Sequence, residues 1–307
     1  IYTLSLHDAL PIYELLIGEN LSKQAGSLLS SCCPKSRLCI VTDETVRDLY
    51  GGRDGGVRQS LEEAGYEVFE YAFPAGEENK TLQTAGAILN FLADNHFDRG
   101  DILLALGGGV PGDMTGFTAA IYMRGIRFIQ MPTTLLACVD SSIGGKTGVD
   151  LPAGKNLAGA FWHPEIVISD TKFFDTLSQD LYRDGLAEII KAGMIADASI
   201  LDDLAADDFN VFDRDALTDS IVKALTVKSD LVEADERENG IRQLLNFGHT
   251  IGHAIETCSD FEISHGHAVA TGSLLAAAGA EGLGWTAPGC AEVRRSEERR
   301  VGKECRS

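Results

Sequence analysis

The amino-acid sequence predicts an α/β domain with a doubly wound parallel sheet, followed by an all-α domain. Runs of β-branched residues alternate with amphipathic stretches from Tyr13 to about residue 169, which is typical of βαβ units. From about residue 170 onward the hydrophobic spacing is helical. The length of 307 residues also exceeds what one hydrophobic core usually fills. We therefore expect an α/β domain at residues 13–169 and a helical domain at residues 170–293.

The predicted elements follow one another in the order of a Rossmann-like fold. Strands are predicted at residues 37–42, 66–73, 101–106, 127–131 and 165–169. Helices are predicted at residues 44–64, 82–95, 112–123, 174–195, 216–235 and 244–256. The run DILLAL at 101–106 is apolar at nearly every position, as expected of a parallel strand covered on both faces. The polar and glycine-rich segment Pro132–Phe161 is expected to be a long connection between the domains.

Composition excludes several classes of function. The formal net charge of −20 argues against binding to nucleic acid or anionic lipid, which are held by summed positive charge. No apolar run approaches the ~20 residues that a membrane span needs. The seven cysteines show no CxxC spacing, and Cys138 and Cys258 lie in apolar surroundings. We expect these two to be buried thiols of a cytoplasmic protein.

The two ends of the chain differ from the rest. Residues 1–12 lack the charged start and the cleavage pattern of a signal peptide, and residues 294–307 are abruptly basic in an acidic protein. Both resemble conceptual translations of sequencing-adapter DNA. We expect both segments to be artefactual and leave them out of the fold prediction.

Histidines suggest a metal site near the end of the chain. Four of the seven lie at His249, His253, His265 and His267. The first two are four residues apart, which places them on one face of a helix. Neutral imidazole is a common Zn²⁺ ligand, although such a pair can also be two satisfied histidines on a helix face. Glu188, in the apolar run GLAEIIKAG, is a candidate third ligand, or it forms an ion pair with Lys191.

Other polar clusters suggest anion binding. The glycine-rich run Gly107–Gly116 stands between a strand and a helix, where free amides hold phosphate or simply allow tight packing. Lys146 and Lys155 stand among glycines and suit a phosphate or carboxylate, or they are solvated surface residues. Arg242 and Asn246 point toward the histidines if the helix is continuous there; a charged solvent face fits residues 233–238 better.

These motifs together resemble the 3-dehydroquinate synthase family, from about Tyr13 to Cys290. The motifs that carry the resemblance are GGGVPGDMTGF, MPTTLLACVDSSIGGKTGVDLPAGKNLAGAF, GLAEIIKAG, DERENGIRQLLNFGHTIGHAIE and SHGHAVATG. The resemblance implies an NAD-binding α/β domain, a helical metal-binding domain and a homodimer. It implies a lyase of the shikimate pathway, in aromatic amino acid biosynthesis. The substrate would be 3-deoxy-D-arabino-heptulosonate 7-phosphate, which is converted to 3-dehydroquinate and phosphate with NAD and Zn²⁺ or Co²⁺.

The resemblance also implies a role for each matched residue. The metal ligands would be Glu188, His249 and His265. The cofactor would be held by Asp43, Glu77, Lys80, Gly108, Gly109, Val110, Pro111, Gly112, Asp113, Thr133, Thr134, Lys146, Lys155 and Thr176. Substrate binding and catalysis would fall to Arg124, Asp140, Lys146, Asn156, Lys191, Lys228, Glu238, Arg242, Asn246 and His253. In this assignment His253 acts as an acid or base and is not a ligand.

The chain departs from the family pattern at two places. His267 stands where many relatives have glutamate. The family also continues for several helices beyond Cys290, including a basic residue that helps to hold the substrate. The resemblance therefore implies an incomplete enzyme with weak or no activity. The alternatives are a related sugar phosphate cyclase such as 2-deoxy-scyllo-inosose synthase, a more distant glycerol-dehydrogenase-like oxidoreductase, and an inactive fragment that binds NAD.

Overall fold

A computed structural model of the chain describes residues 1–5, 13–51, 56–206, 213–259 and 262–286. The chain divides into two compact units, Ile1–Asp175 and Thr176–Ser307. Residues 2–5, which belong to the terminal segment left out of the fold prediction, form a strand. The rest of that segment, residues 6–12, and the segment 294–307 lie outside the described residues.

The first unit is built on a mixed, mostly parallel sheet, as the sequence predicts. Its described strands are β1 (Tyr2–Ser5), β2 (Glu14–Gly18), β3 (Arg37–Asp43), β4 (Glu67–Phe73), β5 (Ile102–Gly107), β6 (Arg127–Pro132), β7 (Lys146–Leu151), β8 (Gly154–Phe161) and β9 (Ile166–Asp170). Seven of them form the sheet in the order β1-β2-β9-β6-β5-β3-β4. Only the β1–β2 pair is antiparallel among these neighbours. Every residue of β5 is buried, as expected of a central parallel strand.

Five helices accompany this sheet among the described residues. They are α1 (Ala25–Cys32), α2 (Glu44–Tyr50), α3 (Val57–Glu63), α4 (Leu82–Asp94) and α5 (Gly109–Ile121). The single helix predicted at 44–64 is therefore wrong: α2 and α3 are separate, because α2 ends at Tyr50 and α3 begins only after Gly56. Buried side chains of the strands, α4 and α5 form one core that includes Leu103, Met114 and Phe128.

The strand order reverses direction between β3 and β5. The chain runs from β3 to β4 on one side, and from β5 to β6 and β9 on the other. Ligands of open α/β sheets bind beyond the carboxyl ends of the strands at such a reversal. Thr42 pairs with Leu106, so the residues that follow them, Asp43 and Gly107, lie side by side at this edge. The sheet topology thus points to the glycine-rich turn independently of its sequence.

The segment Pro132–Phe161 is not the irregular connection between domains that we expected. It begins and ends within the first unit, and β7 and β8 form an antiparallel hairpin within it. Two close contacts explain why its glycines are needed there: a Cβ on Gly159 would lie 2.3 Å from the backbone oxygen of Thr147, and one on Gly148 would lie 2.8 Å from that of Ala158. Glycine therefore allows the two strands to pair closely.

The described part of the second unit is helical. Its helices are α6 (Gln179–Ile195), α7 (Ala198–Ala205), α8 (Arg214–Ala234), α9 (His249–Cys258) and α10 (His265–Gly282). The helix from 242 to 249 that would align Arg242 and Asn246 with the histidines is not continuous. Ile241–Asn246 is a 3-10 turn, and Gly248 adopts a left-handed conformation with φ 79° before α9 begins.

The described cysteines differ in how far they are exposed. Cys138 is buried as predicted, but the prediction for Cys258 is wrong, because this residue lies exposed at the last position of α9. The five described cysteines, Cys32, Cys33, Cys39, Cys138 and Cys258, are all free thiols.

None of the described helices is long and apolar enough to cross a membrane.

Close helix packing in the second unit depends on glycine. A Cβ on Gly248 would lie 2.2 Å from Ser273 Oγ and 2.7 Å from the backbone nitrogen of Ser273 in α10. A Cβ on Gly266 would lie 2.2 Å from the Cα of Asp184 in α6. These approaches place the start of α9 against α10 and the start of α10 against α6.

Candidate functional site

The three predicted metal ligands converge in the second unit. Glu188 is buried on α6, with 4% of its surface exposed, and His249 and His265 are the first residues of α9 and α10. The Nε2 atoms of both histidines lie 3.8 Å from Glu188 Oε1. One ligand atom from each residue fits within 4.8 Å of the others. The geometry therefore suits one cation held by two imidazoles and a carboxylate.

The two oxygens of Glu188 have different surroundings. Oε2 accepts a hydrogen bond from the ammonium of Lys191, which is also buried. Oε1 is buried and has no hydrogen-bond partner in the described structure. An unpartnered buried carboxylate oxygen is costly. A cation bound between Oε1 and the two Nε2 atoms would remove that cost, so the residues present fit a divalent metal.

The surroundings of His249 favour a neutral ligand. Its Nδ1 lies 3.2 Å from the carbonyl oxygen of Phe247, so Nδ1 can donate there and leave the Nε2 lone pair facing Glu188. Burial lowers the pKa of His249, and the charge of Lys191 lowers it further. A neutral imidazole is the form that binds Zn²⁺.

His253 lies one turn further along α9. Its ring centroid is 5.4 Å from that of His249 and 6.0 Å from that of His265. Its side chain is 62% exposed, whereas that of His249 is 12% exposed. His253, Glu256 and His265 also form a group whose ligand atoms fit within 4.8 Å. The assignment of His253 to the substrate instead of the metal therefore stays a prediction.

Two acidic residues were missed by the sequence analysis. Glu256 is buried beside His253 and His265. Its position seven residues after His249 and three after His253 places it on the same helix face, a spacing that could have identified it. Asp184 accepts a hydrogen bond from Ser264 at 2.6 Å, and Ser264 Oγ lies 2.7 Å from Nδ1 of His267. Nothing in the sequence pattern links α6 to this segment.

Several other predicted residues of the second unit lie on elements that carry none of the three metal ligands. Asn246 donates a hydrogen bond of 2.9 Å to Glu238 Oε1. Arg242 is almost fully buried and donates from Nη1 to the carbonyl oxygen of Glu236. Lys228 is buried on α8. Thr176, the predicted cofactor residue at the boundary of the units, is exposed at the end of a 3-10 turn.

The first unit brings five other predicted residues together. Lys80 is their centre: its Nζ lies 2.6 Å from Asp113 Oδ2, 2.6 Å from Asn156 Oδ1 and 3.9 Å from Glu77 Oε1. Lys155 Nζ lies 4.0 Å from the same oxygen of Glu77. Asn156 was predicted to contact the substrate, whereas its neighbours here are predicted cofactor residues. We call these five residues, Glu77, Lys80, Asp113, Lys155 and Asn156, the Lys80 cluster.

Burial sets the protonation behaviour of this cluster. Desolvation raises the pKa of Asp113 to about 6, although the ammonium of Lys80 opposes the shift. Burial alone would lower the pKa of Lys80, but the carboxylates of Asp113 and Glu77 outweigh it and raise that pKa. Lys80 therefore carries its charge at neutral pH.

The glycine-rich turn lies beside the predicted threonines. The backbone nitrogen of Thr133 donates to the carbonyl oxygen of Gly107 at 2.9 Å, and a Cβ on Gly108 would lie 3.3 Å from Thr134. Helix α5 begins at Gly109 and carries Val110, Pro111 and Gly112 in its first turn. The first amides of a helix have no acceptor within it and attract anions. These amides lie at the strand reversal, where Asp43 and Gly107 are side by side, so the predicted anion site stays a prediction at this edge.

Three predicted residues lie elsewhere in the first unit. Arg124 is exposed in a turn where Met123, Arg124 and Gly125 all have positive φ. Lys146 is exposed at the start of β7. Asp140 lies in the π-helical turn Ala137–Ser141, and its charge contributes to the raised pKa of Asp113.

Family models of 3-dehydroquinate synthase match most of the chain. The model of the N-terminal part matches residues 70–184, and the model of the C-terminal part matches residues 185–300. The 3-dehydroquinate synthase of Microcystis aeruginosa is 42% identical over 281 residues, which are 90% of this chain and 76% of that protein. The chain belongs to the 3-dehydroquinate synthase family.

Two of the solved structures similar to this family member are sugar phosphate cyclases. The crystal structure of 2-deoxy-scyllo-inosose synthase has a TM-score of 0.85 and 27% identity, covering 98% of this chain and 83% of that one. The 2-epi-5-epi-valiolone synthase of Streptomyces hygroscopicus, solved with NAD⁺ and Zn²⁺ bound, also has a TM-score of 0.85 and 27% identity, covering 94% of this chain and 80% of that one. The Rossmann-like and helical architecture predicted from the sequence is thus confirmed.

Proposed function

We propose that this member of the 3-dehydroquinate synthase family converts 3-deoxy-D-arabino-heptulosonate 7-phosphate to 3-dehydroquinate and phosphate. Identity of 42% to a curated 3-dehydroquinate synthase supports the activity. The observation that carries the proposal is that His249 and His265 face a buried oxygen of Glu188 that has no hydrogen-bond partner. Such an arrangement is expected of an enzyme that uses a metal.

We assign the metal ligands to Glu188, His249 and His265. These residues would hold Zn²⁺ or Co²⁺, which would supply a Lewis acid for the reaction. Lys191 holds Oε2 of Glu188 and so directs Oε1 toward the histidines. The carbonyl oxygen of Phe247 holds Nδ1 of His249 and keeps Nε2 available.

We assign NAD binding to the first unit, and a solved relative of similar fold was determined with NAD⁺ bound. The amides at the start of α5 suit a pyrophosphate, and Asp43, Thr133 and Thr134 flank that turn. The Lys80 cluster fixes the entry of α5 by pairing Lys80 with Asp113 in its first turns. Bound NAD supplies a hydride acceptor that is restored within one turnover.

Substrate binding is proposed for cationic, acidic and neutral polar side chains. The cations Arg124, Lys146, Lys191, Lys228 and Arg242 would balance the carboxylate and phosphate of the substrate, as charge-assisted hydrogen bonds do. The exposed imidazole of His253 can give or take a proton at Nε2. Glu238 and Asn246, hydrogen-bonded to each other, would contact hydroxyl groups.

Release of phosphate is the direct test. Purified protein supplied with NAD⁺ and Zn²⁺ or Co²⁺ should release phosphate from 3-deoxy-D-arabino-heptulosonate 7-phosphate, and Glu188→Ala should abolish release. Glu262→Ala, at an exposed position between α9 and α10, is the matched control and should leave the rate unchanged. Absence of release with metal and NAD⁺ both shown to be bound would refute the proposed activity.

A related cyclase activity is the second candidate, because 2-deoxy-scyllo-inosose synthase shares the fold at a TM-score of 0.85. A panel of sugar phosphates separates the two: the preferred substrate should be the seven-carbon acid. Net accumulation of NADH would instead indicate a dehydrogenase. Calorimetric binding of NAD⁺ without turnover of any substrate would indicate an inactive NAD-binding fragment.

We also propose that the chain forms a homodimer in the cytoplasm. The exposed apolar side chains Leu157 and Phe161 of β8, at 59% and 46% exposure, supply surface that a second copy can cover. The free thiols of all five described cysteines suit a reducing compartment. Light scattering of the purified chain tests the dimer, and a monomer at all concentrations would contradict it.

A further inference from the structure

Glu256 is a buried carboxylate that the proposed mechanism does not use. It lies on α9 with 4% of its surface exposed. Its Oε1 is 3.4 Å from Nδ1 of His265, and its Oε2 is 3.9 Å from Nε2 of His253. Burial of a carboxylate is unfavourable unless donors face it. An imidazole nitrogen faces each of its two oxygens.

The two nitrogens of His265 face different carboxylates. Nε2 points to Oε1 of Glu188 at 3.8 Å, and Nδ1 points to Oε1 of Glu256 at 3.4 Å. A neutral imidazole carries a hydrogen on only one nitrogen. If Glu256 takes that hydrogen bond from Nδ1, the lone pair remains on Nε2, the side that faces Glu188.

His249 shows the same arrangement with a different acceptor. Its Nδ1 faces the carbonyl oxygen of Phe247 at 3.2 Å, and its Nε2 faces the same Oε1 of Glu188 at 3.8 Å. Each candidate histidine ligand therefore has an oxygen behind Nδ1 and Glu188 in front of Nε2. The acceptor behind His249 belongs to the backbone, whereas the acceptor behind His265 is a charged side chain that can be changed by mutation.

We propose that Glu256 is a positioning residue for the metal site: its carboxylate holds His265 in the Nδ1–H form, with Nε2 directed to the metal. This inference rests on the proposed assignment of Glu188, His249 and His265 as ligands. A carboxylate behind a ligating imidazole fixes the orientation of the ring and raises its basicity. Loss of such a partner typically weakens metal binding about 10- to 100-fold.

Metal titration of purified variants tests the proposal. Apo protein is titrated with Zn²⁺ in competition with a chromophoric chelator, and with Co²⁺ while the visible absorption of the bound ion is recorded. Wild-type protein should bind one ion per chain. Glu256→Gln should bind Zn²⁺ about 10-fold more weakly and shift the cobalt absorption. Glu262→Gln, the same charge change at an exposed site, should alter neither.

Three outcomes would overturn the proposal. Unchanged zinc affinity and cobalt absorption in Glu256→Gln, with one ion bound to wild type, would refute the positioning role of Glu256 and leave the proposed metal site standing. Two ions per wild-type chain, with one lost in both Glu256→Gln and His253→Ala and the other held at unchanged affinity, would show that Glu256 is itself a ligand of a second cation. Unchanged metal binding in Glu188→Gln would remove the proposed metal site and this inference with it.

A measurement on the wild-type protein does not depend on how the variants fold. Nitrogen NMR of zinc-loaded protein with labelled histidine reports which ring nitrogen carries hydrogen. His265 should have hydrogen on Nδ1 and metal on Nε2. Hydrogen on Nε2 of His265 would contradict the proposal.

Discussion

The ammonium of Lys80 lies 2.6 Å from Oδ2 of Asp113, and both groups are largely removed from water. Lys80 stands just before α4, whereas Asp113 belongs to α5. The pair therefore joins two segments of the first unit, and Asn156 of β8 adds a third through its hydrogen bond to Lys80. Removal of one member of this buried pair should therefore cost much more folding free energy than removal of one member of an exposed ion pair.

Replacement of Lys80 by methionine should destabilise the first unit. The change keeps most of the side-chain volume but leaves Asp113 buried without its cation, a loss of about 3 to 5 kcal/mol. Urea unfolding measures the free energy, and calorimetry should show weaker NAD⁺ binding. Lys172→Met removes exposed ion pairs with Glu19 and Asp175 and should change stability by less than about 0.5 kcal/mol. Equal effects of the two variants would contradict the importance of the buried pair.

Asp113 should make stability depend on pH between about 4 and 6. Its pKa is raised from the model-compound value of 3.8 to about 6 in the folded protein, so the folded state binds its proton more tightly than the unfolded state. The contribution to stability is therefore present below pH 4 and is lost as the pH rises through 6. Asp113→Asn removes this dependence, so the variant should gain stability relative to wild type as pH rises over that window. Parallel pH curves from urea unfolding would show that Asp113 does not titrate in this way.

The two histidines of α9 should respond differently to alanine. His249→Ala removes a proposed ligand whose Nε2 faces Glu188 and should lose stoichiometric metal. His253→Ala should keep the metal and lose most turnover, by about 10²- to 10⁴-fold for a lost acid or base. Metal analysis after dialysis and the phosphate-release rate measure the two effects. Equal metal loss in both variants would mean that His253 is a ligand.

Gly248→Ala should disrupt the start of α9. The left-handed φ of 79° disfavours a side chain, and the added Cβ would lie 2.2 Å from Ser273 Oγ and 2.7 Å from the backbone nitrogen of Ser273. We expect a loss of about 2 to 4 kcal/mol together with weaker metal binding. Gly279→Ala is the matched control, since nothing lies within 4 Å of its added Cβ, and it should be neutral or stabilise α10 by up to about 1 kcal/mol. Thermal unfolding of both variants distinguishes local strain from a general intolerance of alanine.

Elements with a strong local pattern could be predicted from the sequence. The strands at Arg37–Asp43 and Ile102–Gly107 each contain a short apolar run flanked by polar residues or glycine, so their positions follow from burial. The hairpin of β7 and β8 was missed because its glycines and polar residues resemble a loop. Its pairing depends on the close approach of two glycine-containing strands, which local spacing does not reveal.

The candidate site could be predicted only in part. The spacing of His249 and His253 indicates a shared helix face, but the partner of Glu188 was left open between Lys191 and a metal. The structure brings Lys191 and the two histidines to Glu188: Lys191 bonds Oε2, and the histidines face Oε1. The meeting of α6, α9 and α10 depends on backbone approaches at Gly248 and Gly266 that have no counterpart in hydrophobic periodicity.

The left-handed turn at Gly248 has a consequence for how members of this family can diverge. Arg242 and Asn246 lie in the 3-10 turn before it, and His249 begins the helix after it. If Arg242 and Asn246 bind substrate as proposed, substitutions before Gly248 would change substrate contacts, while Gly248 keeps the direction in which α9 begins. Exchange of residues 235–247 between this chain and a related cyclase would show whether this segment changes substrate preference while the histidines keep their places.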